Sequence, residues 1–166
     1  MKKIITILSF ATLLLLLAPA ATIHASAAQL KSEVLVSSTT TQLENGNSIV
    51  TEISVLSNDT GISTFATIKT TSGSKTVKYR NSKGNVLWSF TVSANFTYNG
   101  SSATCTSVST SKQINDTAWK LSNITAAKSS NVAKGSVTAK ECLLGIPFNT
   151  VTENLQLKCS ANGTLS

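Results

Sequence analysis

The stretch VLWSFTVSANFTY, residues 86–98, decides the fold class. Trp88, Phe90, Val92, Ala94, Phe96 and Tyr98 share one parity; Leu87, Ser89, Thr91, Ser93, Asn95 and Thr97 share the other. Successive side chains of a strand point to opposite faces, so one face is aromatic and apolar and the other mostly hydroxyl and amide. That is the pattern of a long antiparallel strand with one side on a core and the other in water. Aromatic side chains dominate core burial, which makes the stripe a core seam. The alternative is a platform for stacking sugar rings, with Trp88 and Tyr98 flanking the stripe and Trp119 as a third candidate. In that case Asn95 and its Ser/Thr neighbours would supply hydrogen bonds.

Outward from this strand the chain keeps the same grammar. Alternating apolar and β-branched segments are separated by Asn-Gly or Lys-Gly pairs, which signal hairpins. SEVLVSSTTTQL leads through ENGN into SIVTEISVLS, a first hairpin around Asn45-Gly46. STFATIKTT and SKTVKYRN read as two further short strands, and NSKGN (81–85) turns into the aromatic strand. ATCTSVSTS, AWKLSNITAAK, NVAKGSVTAKECLL and FNTVTENLQLKCS complete the series, with KSSN (128–131) as a flexible turn. Eight or nine strands joined by short turns predict an all-β fold, an antiparallel sandwich or barrel; an antiparallel β-sandwich of immunoglobulin-like architecture is expected.

The N-terminus carries an address. Lys2 and Lys3 precede an apolar run from Ile4 to Leu17, and Ala25-Ser26-Ala27 follows. A cationic start, an apolar middle and an A-x-A site make a secretory signal peptide, residues 1–27. The run is shorter than the roughly 20 residues of a spanning helix. Residues 28–166 then form a single secreted domain with no membrane span. With Lys2 and Lys3 lost in the leader, the formal charge falls from +7 to +5. The lysines are dispersed and Arg80 is the only arginine, which argues against nucleic acid. Weak attraction to anionic cell-wall polymers or membranes fits better.

Several chemistries are hard to build from this composition. The one histidine, His24, leaves with the leader, so neither a Ser-His-Asp site nor a histidine-ligated zinc is available. The carboxylates Glu33, Glu44, Glu52, Asp59, Asp116, Glu141 and Glu153 are isolated in sequence. Glu153, on the parity of Leu155, is the one to watch for glycosidase chemistry. No catalytic residue, metal site or cofactor is assigned, and the protein is read as a non-enzyme. Six N-x-[ST] triplets follow from the Asn/Ser/Thr-rich composition.

Secretion favours a disulfide, and three cysteines leave one thiol over. Cys159 continues the inward parity of Leu155 and Leu157, and Cys105 sits one hairpin after the aromatic strand. A Cys105–Cys159 bond is expected, with Cys142 as a small, half-buried hydrophobe or, alternatively, a partner disulfide or reactive thiol.

Residues 70–166 resemble a group of small secreted proteins of Gram-positive, clostridial-type bacteria that carry no assigned activity. The likeness lies in Gly84-Asn85-Val86-Leu87-Trp88, Phe96 to Gly100, Cys105, and Leu157 to Ser166. It implies an all-β secreted protein, agrees with the Cys105–Cys159 pair, and brings no catalytic or binding residue. The expected function is a non-catalytic extracellular interaction protein, acting at the cell envelope on a polymer, glycan or protein partner. A carbohydrate- or cell-wall-binding module, and a toxin or inhibitor aimed at competitors, are the alternatives.

Overall fold

The computed structural model describes residues 32–57 and 68–166. The signal peptide and most of the strand expected over 63–71 lie outside the described residues. Eight strands run in order: β1 (Ser32–Gln42), β2 (Ser48–Ser57), β3 (Lys69–Arg80), β4 (Val86–Tyr98), β5 (Ala103–Ile114), β6 (Trp119–Ser129), β7 (Val132–Leu143) and β8 (Ile146–Lys158). They form two antiparallel sheets, β1-β2-β3-β4-β5 and β6-β7-β8, facing each other across a shared core.

Each strand pairs with its sequence neighbour, and the chain changes sheet once, between β5 and β6. The immunoglobulin sandwich instead interleaves its sheets through Greek-key connections. The layered all-β expectation therefore holds, while the immunoglobulin-like arrangement is corrected to a meander. The reason lies in the turns: successive hairpins pin each strand beside its predecessor. Asn45-Gly46 and Lys83-Gly84 stand in two of these turns, with Gly46 and Gly84 at positive φ.

The aromatic stretch is β4, the fourth strand of the five-stranded sheet. Trp88, Phe90, Val92, Ala94 and Phe96 are buried, whereas Asn95 on the opposite face is exposed. From the facing sheet come Trp119, Leu121, Ala133, Val137, Ala139, Leu155 and Leu157. Tyr79 stacks on Trp88 at 5.5 Å and 5°, and Trp119 closes the cluster at 4.9 Å from Tyr79 and 6.0 Å from Trp88.

Two glycines set how closely the layers approach. Gly73 lies inside β3, which runs unbroken where STFATIKTT and SKTVKYRN are expected as two short strands. A Cβ there would come within 2.3 Å of Leu165 Cδ1 and 2.5 Å of the Ser54 carbonyl oxygen. Gly135 lies inside β7, where a Cβ would meet Val92 Cγ2 at 2.5 Å. Both serve close approach rather than turning.

Candidate functional site

Over β3–β5 the face turned away from the core carries hydroxyl and amide side chains, some of them, such as Ser72 and Ser74, buried. Alternation along β3, β4 and β5 places Ser72, Ser74 and Thr76 beside Thr91, Ser93 and Asn95, and these beside Ser107, Ser109 and Ser111. A bulge in β5 completes the row. Asn95 pairs with Ser107 but Phe96 pairs with Cys105, so Thr106 is the extra residue. The bulge turns Cys105 into the core and Ser107 to the outside, although the two share a parity. Thr106 Oγ1 donates to the Asn95 carbonyl at 3.0 Å and pins the irregularity.

The groups on this face are tied to one another. Ser72 Oγ donates to Asn95 Oδ1 at 2.6 Å, and Asn95 Nδ2 donates to Ser107 Oγ at 2.7 Å, linking three strands. Thr76 and Thr91 hydroxyls meet at 2.8 Å. Ser74 Oγ donates to Glu33 Oε1 at 2.8 Å, and Lys78 pairs with Glu52 at 2.6 Å. Leu56, Ser93, Asn95, Ser107 and Ser109 surround a shallow depression of about 210 Å³ on this face. Amides and hydroxyls held in fixed orientation can donate to and accept from a polyol or a peptide with little ordering cost.

The three candidate stacking residues separate. Trp88 is 0% exposed and Trp119 2% exposed, so the structure places both in the core and takes their rings away from any ligand. The physical reason is the layered packing: both inner faces converge on Tyr79 and leave no ring face free. Tyr98, at the far end of β4, is half-buried. Its ring lies over Gly163, whose Cβ position is 2.4 Å from Tyr98 Cζ. With Lys69, Asn99, Gly100 and Asn162 it lines a depression of about 280 Å³.

Cys105 and Cys159 come to the same place. Their backbone N–H groups donate to Ser130 and Asn131, adjacent residues of the β6–β7 turn. All three cysteines are thiols, so the expected Cys105–Cys159 bond is not formed here; the two sulfurs instead donate to the Ser107 and Ser160 carbonyls. Burial pushes both thiols above their ordinary range, and Cys105 raises Cys159 further. Cys142 is half-buried, as expected.

Glu153 faces inward on the edge strand β8, opposite Val137. Desolvation raises its carboxyl above the usual range. The folded protein therefore holds this proton at a pH where the unfolded chain releases it. Stability falls as pH rises from about 4.3, the unfolded value, through the folded value. Glu153→Gln is expected to stabilise the protein at neutral pH and to flatten that part of the profile. Urea midpoints measured between acid and neutral pH check this; an unchanged profile would contradict it. Among the described residues, no three metal-ligating side chains come together.

Sequence reasoning missed one surface feature, the apolar tip joining β7 to β8. Leu143, Leu144, Ile146 and Phe148 are all exposed there. The signal was available in LLGIPF, apolar residues on both sides of a glycine. No family model, curated protein or solved structure matches this chain.

Proposed function

We propose that the protein is a secreted, non-catalytic interaction module that works at the cell envelope and binds through surfaces rather than in a cleft. The observation that carries this reading is the exposed Asn95–Ser107 pair on the open face of the five-stranded sheet, held in place by the buried Ser72 hydroxyl. Kinship with the secreted clostridial-type group belongs to the same proposal and rests on the motifs around Trp88, Cys105 and Cys159.

A second reading, a carbohydrate-binding module, is favoured by Tyr98. It is the one candidate stacking ring left at the surface, and Lys69, Asn99 and Asn162 around it supply polar groups. Aromatic faces with nearby amides suit sugar rings.

Retention of residues 28–166 on purified cell walls and insoluble polysaccharides tests both. Among the described residues the core runs from Val50 to Leu165, all of it inside residues 28–166. Salt-resistant retention is expected, weakened about fivefold by Asn95→Ala, which corresponds to one lost hydrogen bond of ~1 kcal/mol. Loss with Asn162→Ala instead would favour the Tyr98 reading. No retention, or retention that vanishes with salt, would contradict the proposal.

Oxidation outside the cell is part of it. Cys105 and Cys159 flank one turn, and joining them with transfer of two hydrogens to molecular oxygen would stabilise the fold by ~4 kcal/mol on the chain-entropy estimate. Thiol titration of the unfolded, exported protein should count one free thiol, Cys142. Three would contradict the bond.

A further inference from the structure

We propose that the β7–β8 hairpin tip is a membrane-contact element that inserts into the surface of an anionic lipid bilayer. The proposal rests on the envelope reading above and names the part of the envelope touched. β6 ends its pairing at Trp119, opposite Glu141, so Leu143 to Phe148 run on beyond it as a two-stranded projection. Leu143 is 68% exposed, Leu144 97%, Ile146 71% and Phe148 64%. Scattered apolar residues on a surface are normal, but four together on one projecting turn mark an interaction site.

The backbone adds an independent argument. Leu143 pairs with Ile146, and the two residues between them, Leu144 at φ 51° and Gly145 at φ 84°, form a primed hairpin turn. Such a turn favours Asn or Asp before the glycine, because a leucine in the left-handed region is sterically disfavoured. Leu144 thus occupies a conformation that opposes it while its side chain is in water. It contributes nothing to the core. A residue that costs the fold at a fully exposed position points to a task outside the fold.

Charge selects the occupant. Lys120 and Lys140 are direct cross-strand partners on the outward face, just behind the tip, and both are exposed. Like charges directly opposite each other destabilise a sheet, and neither has an ion-pair partner among the described residues. An anionic headgroup layer would relieve that repulsion while the acyl boundary takes up the four apolar side chains. The projection is about 10 Å long at strand spacing, which matches the depth of the interfacial zone. A convex point has little surface to offer a protein groove, whereas a bilayer accepts it from any side. No helix among the described residues is long and apolar enough to cross a membrane.

Co-sedimentation of residues 28–166 with vesicles tests this, using phosphatidylcholine alone and equal parts phosphatidylcholine and phosphatidylglycerol. Binding to the anionic vesicles is expected. Leu144→Asn should weaken it about tenfold and, by restoring the favoured Asn-Gly turn, raise the urea midpoint. Opposite signs for binding and stability separate a docking role from a structural one. The double variant Lys120→Gln/Lys140→Gln should bring binding down to the level on phosphatidylcholine. Equal binding by Leu144→Asn, or no binding to either vesicle, would overturn the proposal. So would a dimer in sedimentation that Leu144→Asn dissociates, since the tip would then be a contact between copies. Purified walls run in parallel keep the two readings apart. Retention on walls without binding to vesicles sinks the tip proposal alone, and loss of both sinks the envelope reading with it.

Discussion

Trp88→Ala is expected to lower the free energy of unfolding by about 4 kcal/mol, within the range of large-to-small aromatic substitutions in cores. Trp88 is fully buried and makes a near-parallel stack on Tyr79. Neither its indole N–H nor that of Trp119 has a hydrogen-bond partner among the described residues. Its contribution is therefore contact and area, and the alanine would leave a cavity between the sheets. Trp88→Phe keeps most of the ring contact and should cost far less. Urea unfolding followed by far-ultraviolet circular dichroism measures both. If Trp88→Ala shifts stability by no more than ~0.5 kcal/mol, the size of an ordinary surface change, Trp88 is not core.

Gly73→Ala is expected to destabilise by about 3 kcal/mol, the upper end of overpacking costs. Leu165 Cδ1 is the end of a side chain and can move, but the Ser54 carbonyl oxygen at 2.5 Å belongs to the paired backbone of β2. A methyl group there must open the β2–β3 ladder. Gly84→Ala is the contrast: nothing lies within 4 Å of its Cβ position, so only its positive φ is strained. A smaller loss at Gly84, about 1 kcal/mol, follows from the left-handed conformation alone. Equal losses at the two sites would mean that Gly73 is not held against its neighbour.

Much of this was legible because side-chain alternation is a strong constraint. The parity of residues 86–98 predicts which side chains are buried, and the Asn45-Gly46 and Lys83-Gly84 turns are where the sequence places them. Gly73 is not legible as a strand interior, whereas Gly135 falls inside the NVAKGSVTAKECLL segment and only its close-packing role is hidden. A glycine chosen for close approach looks the same in sequence as one chosen for a turn, and only the partner atoms tell them apart. The Thr106 bulge was hidden for a similar reason. Parity carries across a strand without a break, so an extra residue reverses Cys105 relative to Ser107 with no mark in the composition.

The site was less legible than the fold. Trp88 and Trp119 suit a sugar platform as well as a core when only their residue types are known. It is the convergence of two inner faces on Tyr79 that buries them. Asn95 reads as a wet-face residue from parity, but its links to Ser72 and Ser107 depend on the neighbouring strands' register. The immunoglobulin-like expectation differs from the observed meander because strand count alone does not encode which strands are neighbours, whereas the short hairpin turns do. The apolar tip is hidden in the sequence because Leu143 and Leu144 continue the apolar content of β7, and only pairing shows that β6 has already ended.

The central claim is that the aromatic residues of VLWSFTVSANFTY build the interior and leave binding to the surfaces outside it. Iodide quenching of tryptophan fluorescence in residues 28–166 tests it most directly, since Trp88 and Trp119 are the only two tryptophans. Almost no quenching is expected in the native protein, and full quenching once urea unfolds it. Quenching of the native protein would put an indole at the surface, return the aromatic platform as the ligand site, and contradict the account.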